Sequence, residues 1–249
     1  MLEKIIITFG YSGEQKASYN WGTILHGALL ELLPPELASM FHQSELRPFT
    51  QYVLPLSDQQ LRWSIGIWEP NIAELFAQAL LPLSKIELKH KELTLQVIDT
   101  QRMRISKQDY FARFFLHDDP CRRYQLEFLT PCTHKRDGKY VLFPVPELII
   151  RSLYTRYSSF SQEFSLDDQE TMEQLAGHLS IARYSLRSAV YYLERTKITG
   201  YLGKVTLSIG GPEQLVRLTG ALLSFSEYAG IGIKTALGMG GVRVTEIRG

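Results

Sequence analysis

Histidine, arginine and a lysine set among glycines are the residues of this chain whose chemistry could combine. His42 is followed by Arg47-Pro48-Phe49-Thr50, and His26 lies on the same helix-like segment as Tyr19. Histidine can pass protons near neutral pH because its pKa lies there, and arginine or lysine can hold developing negative charge. The tail from Tyr228 to Val244 carries five glycines, at positions 230, 232, 238, 240 and 241, with Lys234 among them. Glycine is favoured where the chain turns with positive φ or where backbone must approach another group without a Cβ. Successive amides in such a loop can form an anion-binding concavity, and Lys234 adds a full charge, so phosphate is the expected guest. A hairpin that merely needs glycines is the plainer reading of the same residues.

The spacing fits neither common nucleotide loop. Gly232-Ile233-Lys234-Thr235 has isoleucine where a Walker A loop needs its lysine, and the glycines follow a helix-like segment rather than a first strand. The other histidines, His90, His117, His134 and His178, have no metal-site spacing, and neither metal nor cofactor is expected. Cys121 and Cys132 are too few for a disulfide framework and too far apart for a CxxC pair.

The elements that must position these groups read as two rounds of one pattern. A strand at Ile5–Phe9 precedes a helix from Tyr19 to Leu33, ended by Pro34-Pro35, and a short helix over Glu36–His42. Strands follow at 52–56 and 62–68, then a helix over 72–81 and a strand with a turn over 86–98. That order is βαββαβ, the ferredoxin-like arrangement. The second round has a strand at 124–129, a tight turn at Asp137-Gly138 leading to a strand at 140–143, and helices at 146–157 and 167–179. Strands at 182–193 and 201–209, a helix at 213–228 and a closing strand at 242–247 complete it. The expected fold is α+β, two tandem ferredoxin-like (RRM-like) domains, 1–112 and 113–249, divided where 107–119 mixes aromatic and charged residues without clean periodicity.

At 249 residues, 45% hydrophobic and 21% charged, the chain has the composition of an ordinary globular protein. No stretch reaches the length of a membrane span and no signal-peptide core is visible, so a cytoplasmic location is expected. The net charge of +1 hides an asymmetry: 7 Lys/Arg against 11 Asp/Glu in residues 1–100, and 20 against 15 in the remainder. A polyanion would be drawn to the second part. Its basic residues crowd into Arg122, Arg123, Lys135, Arg136 and Lys139, and into Arg183, Arg187, Arg195, Lys197 and Lys204. Tyr184, Tyr191 and Tyr192 interleave with the second run, an arrangement suited to stacking bases, although core packing accounts for tyrosines equally well.

The glycine tail with Gly200-Tyr201-Leu202-Gly203-Lys204-Val205, the segment Leu129-Thr130-Pro131-Cys132-Thr133-His134 leading to Phe143-Pro144-Val145-Pro146, and Met40-Phe41-His42 before Phe49-Thr50 together resemble one family. This is the CRISPR-associated endoribonuclease of the RAMP superfamily (Cas six) that cuts repeat RNA out of a precursor transcript. The resemblance implies metal-independent cleavage by 2′-hydroxyl attack, leaving 2′,3′-cyclic phosphate and 5′-hydroxyl ends. It implies His42 as general acid or base and Arg47 as the supporting cation. A tyrosine that some members carry on the first helix corresponds here to Leu30, which leaves Tyr19 and His26 as candidates for a third role. Gly230, Gly232, Lys234, Gly238, Gly240 and Gly241 would hold RNA phosphates, with Lys204, Arg183, Arg187 and Lys197 as further contacts. The implied partner is CRISPR repeat RNA, bound by a monomer or homodimer, with other effector subunits as further partners. The alternatives are a non-catalytic RAMP subunit that scaffolds guide RNA in an effector complex, and an unrelated ferredoxin-like enzyme holding a nucleotide.

Overall fold

The computed structural model describes residues 1–44, 46–57, 59–88, 91–159, 169–193 and 196–248, and of His42 the backbone alone. His90, Arg195 and the His42 side chain, all singled out in the sequence, therefore lie outside the described set, as do the first residues of the helix expected at 167–179.

The first half runs β1 (Leu2–Gly10), α1 (Gly22–Leu32), α2 (Pro35–Gln43), β2 (Phe49–Ser57), β3 (Gln60–Ile67), α3 (Pro70–Leu80), β4 (Lys85–Leu88) and β5 (Leu93–Ile105). Its antiparallel sheet has the order β2-β3-β1-β5-β4. With β4 set aside as an added edge strand, that is the ferredoxin-like order. Alternation fixes which face is buried: Ile5, Ile7 and Phe9 of β1 and Trp63, Ile65 and Ile67 of β3 enter one core with Leu25, Leu29 and Phe76. Phe41 of α2 is held there by Phe49, ring centroids 5.0 Å apart, and Phe49 by Phe76 at 5.0 Å. This aromatic trio anchors the end of α2 where His42 stands.

The second half runs α4 (Lys107–Phe115), β6 (Arg123–Cys132), β7 (His134–Arg136), β8 (Lys139–Val141), α5 (Pro146–Ser159), α6 (Gln169–Gly177), β9 (Leu179–Tyr192), β10 (Lys197–Ile209), α7 (Glu213–Ala229) and β11 (Val242–Glu246). Its antiparallel sheet, β11-β6-β10-β9, repeats the ferredoxin-like order, and β7-β8 is a hairpin inserted after the first strand. The segment that lacks clean periodicity in sequence is the helix α4. Ser106 caps it, accepting from the Asp109 N–H at 2.9 Å and donating to its carboxylate at 2.7 Å. Tyr110 and Phe114 of α4 are buried in the second core, and the Tyr110 hydroxyl donates to Ala221 O of α7 at 2.6 Å. The division drawn at 112 falls inside this helix.

The two halves meet closely. Leu2 and Trp68 of the first half lie in the second core, Trp68 edge-on to Phe225 with centroids 5.7 Å apart. A Cβ on Gly66 of β3 would collide with the backbone of Tyr228 at the end of α7, so only glycine allows this contact.

Candidate functional site

The glycine loop after α7 is wedged between the halves. The Thr50 hydroxyl donates to Thr235 O at 3.0 Å, and the Gln51 amide donates to Gly22 O at 2.8 Å and Ala236 O at 3.0 Å. Gln51 is itself oriented by Trp63, whose indole N–H donates to its oxygen at 2.9 Å. The Tyr191 hydroxyl donates to Leu237 O at 2.6 Å, and Gly241 lies against the Tyr52 ring.

This placement corrects one expectation. The amides of Gly230, Gly232, Gly238, Gly240 and Gly241 do not form an anion cradle, because each donates within the protein: to Ser226 O, Ser152 Oγ, Thr235 O, Pro131 O and Thr130 Oγ1. These glycines are buried and let backbone pass backbone. Gly240, at φ 65, crosses so near Ile231 O that a Cβ would overlap it. Lys234, at φ 56, is exposed and remains the residue of the loop that offers charge to solvent.

The α2–β2 loop carries Arg47, whose Nε–H donates to Phe41 O at 2.8 Å, closing the loop onto the end of α2. Arg47 is half-buried, and burial lowers its pKa from the usual guanidinium value. Ser44 tightens the turn by donating to Leu46 O at 2.5 Å.

Tyr19 is not on α1, as the sequence suggests, but in a 3-10 turn over Tyr19–Trp21. Its hydroxyl donates to Val190 O at 3.2 Å and its ring stacks on Tyr191 at 6.0 Å, which ties this turn to β9. His26 is buried, stacked on Phe49 at 6.1 Å. Core packing thus accounts for His26, and a contact between halves accounts for Tyr19. Leu30 packs partly buried against the first core.

Beside the α2–β2 loop lies a cavity of about 540 Å³, lined in part by Leu46, Lys135, Arg136, Arg151, Arg156 and Gly232. Arg156 of α5 is 7% exposed and donates to Ser152 Oγ at 2.6 Å, Gly230 O at 3.3 Å and Gly232 O at 2.5 Å. It pins the glycine loop to α5, and burial brings its pKa down to about 10. His134 lies under the same cavity, its Nε2 3.3 Å from the Tyr201 hydroxyl. Burial first, then Arg156 and Arg136, pushes His134 down to about 4, so it is neutral at physiological pH. Buried Cys132 also touches Tyr201, at 3.3 Å, and burial raises its thiol pKa to about 12. Arg151 and Arg156 were not singled out from sequence. Their signal is weak, two arginines on one helix brought to the glycine loop only by folding.

The other basic candidates are on the second sheet. Lys204 faces Ser185 across one pairing and Glu127 across the other, and Arg183 faces Thr206 and Arg187 faces Leu202. Arg183, Arg187 and Lys204 share the face away from the helices and are exposed. Lys204 and Arg243 both approach Glu127, at 3.8 and 3.4 Å. Arg183 and Arg187 form no ion pair among the described residues. Lys197 sits over the Tyr192 ring at 5.4 Å. Tyr184 is on the opposite face, edge-on to Phe143 at 5.2 Å, and Tyr191 is fully buried, so the tyrosines do not make one stacking surface. Among the described residues no group of three His, Cys, Asp or Glu could hold a metal ion, and no helix is long and apolar enough to cross a membrane.

A family model described as CRISPR-associated endoribonuclease Cas6 matches residues 126–242, from β6 through the glycine loop to the start of β11. The CRISPR-associated endoribonuclease Cas6 of Streptococcus thermophilus is 27% identical over 222 residues, 89% of this chain and 90% of that protein. The protein of the same description from Mycobacterium tuberculosis is 28% identical over 227 residues, 90% of this chain and 71% of that one. The chain is thus similar to Cas6 endoribonucleases along about nine-tenths of its length. Solved structures agree on the fold: a Cas6 product complex superposes with a TM-score of 0.80 at 21% identity, covering 98% of this chain and 100% of that one. Thermus thermophilus Cas6 superposes with a TM-score of 0.72 at 22% identity, covering 98% of each. The tandem ferredoxin-like fold is therefore the one these solved structures share.

Proposed function

We propose that this chain is a metal-independent endoribonuclease that binds CRISPR repeat RNA and cuts the precursor transcript within each repeat. The observation that supports the reading is that Leu46, next to Arg47 and four residues after His42 in the last turn of α2, lines a cavity together with four cationic side chains. In that reaction the 2′-oxygen bonds to the adjacent phosphorus as the bond from phosphorus to the 5′-oxygen breaks. His42 takes the 2′-hydroxyl proton or supplies one to the departing 5′-oxygen. Arg47 stabilises the charge that gathers on the phosphorane. Lys234, Lys204, Arg183, Arg187 and Lys197 hold the RNA backbone, so affinity falls steeply as salt rises. Relatives described as endoribonucleases across about nine-tenths of the chain support this reading, as does fold similarity to a RAMP protein binding different RNA substrates, with a TM-score of 0.63.

The test is incubation in EDTA with labelled repeat RNA from the host genome and a companion RNA that is 2′-deoxy at the cut. Cleavage at one site, abolished by the single deoxy substitution, is the expected result. Binding without cleavage would reassign the chain to the scaffolding RAMP subunits, and cleavage that persists in the deoxy substrate would refute 2′-hydroxyl attack.

A further inference from the structure

The cavity beside the α2–β2 loop is built for more than structural support. Its walls come from four separated pieces of chain: Leu46, the β7 segment, α5 and the glycine loop. Among the described residues four cations line it, Lys135, Arg136, Arg151 and Arg156, against one acid, Asp137. Two of them have work within the protein. Arg156 is spent on the Gly230 and Gly232 carbonyls, and Arg136 pairs with Glu147 at 2.9 Å. Lys135 and Arg151 are exposed and pair with no carboxylate among the described residues. His134, held neutral below them, adds polarity without competing charge. A volume of about 540 Å³ lies within the roughly 300–1,000 Å³ of small-molecule sites, enough for a nucleotide but not a helix.

We propose that this cavity is a phosphate-binding subsite for the single-stranded RNA immediately flanking the cut, with Arg151 and Lys135 as its contacts. The inference rests on the proposed endoribonuclease reading and deepens it, because Leu46 at the cavity edge adjoins Arg47. A strand whose reacting phosphate lies at that loop passes next over Arg151 and Lys135. The rigid floor is the glycine loop, pinned by Arg156, and the planar guanidinium of Arg151 is suited to bidentate contact with one phosphate.

Binding of the full chain to repeat RNA made uncleavable by one 2′-deoxy sugar tests this, using RNAs that carry a single neutral methylphosphonate at each linkage around the cut. Wild-type affinity is expected to fall on the order of tenfold at one or two adjacent linkages. Arg151→Gln should weaken binding of unmodified RNA by a similar factor and lose nothing further at those same linkages. Its log–log salt slope should be shallower by about one. Lys135→Gln should behave alike at the same or the neighbouring linkage. If both variants bind and cut like wild type, the subsite is wrong while the endoribonuclease reading stands. Equal losses at every linkage in the variants would likewise overturn it in favour of a general field. Displacement of the RNA by a free mononucleotide at micromolar concentration would overturn it in favour of a nucleotide site. A wild-type chain that binds no repeat RNA would overturn both readings.

Discussion

Acidification from pH 7 to pH 5 is expected to cost the folded state about 2 kcal/mol through His134 alone. The ring is 5% exposed, lies 3.3 Å from the Tyr201 hydroxyl, and is subject to the charges of Arg156 and Arg136. Its pKa is about 4 in the fold against the usual 6.5 in an unfolded chain. Between those values the unfolded chain binds more protons than the folded one, so stability rises with pH across that window. The contribution is present above pH 6.5 and is lost as pH falls towards 4, at up to about 1.4 kcal/mol per unit. Urea melts at pH 7, 6 and 5 on wild type and His134→Gln isolate it, because the amide keeps a polar atom near Tyr201 but cannot titrate. The wild type should lose about 2 kcal/mol more than the variant over this range. If the gap between the two curves stays constant to within about 0.5 kcal/mol, the burial and charge argument for His134 is refuted.

Two substitutions probe the wedge between the halves. Gly240→Ala puts a Cβ into Ile231 O at a left-handed φ and is expected to destabilise by roughly 2–4 kcal/mol in calorimetry, whereas Gly27→Ala, on an exposed turn of α1 with nothing near its Cβ, should be neutral or stabilising by up to about 1 kcal/mol. Tyr191→Phe removes the 2.6 Å bond to Leu237 O, should cost about 1–2 kcal/mol in urea melts, and should speed amide exchange in the glycine loop more than in β1.

Strand periodicity carried most of the fold. The apolar alternation of β3 and the Asp137-Gly138 turn are local signals, and the structure keeps them where the spacing put them. The α4 helix escaped because it is only nine residues long with Asp109 and Arg113 among its aromatics, although Tyr110, Phe111, Phe114 and Phe115 share one helical face and Ser106 with Asp109 was a readable start. The glycine loop marks the harder limit. Its composition announces close backbone approach, but whether the neighbour is phosphate or protein depends on Gly22, Thr50, Tyr52 and Tyr191, all distant in sequence. The cavity escaped for the same reason, since Lys135, Arg151 and Gly232 come together only through the crossing of β7, α5 and the loop.

The central claim, that His42 transfers a proton in cleavage of repeat RNA, is tested most directly by single-turnover cleavage in EDTA with wild type and His42→Ala, each shown to be folded by its urea melt. The account predicts a rate lower by about 10²–10⁴-fold in the variant with RNA affinity nearly unchanged. Cleavage by His42→Ala at the wild-type rate would contradict it.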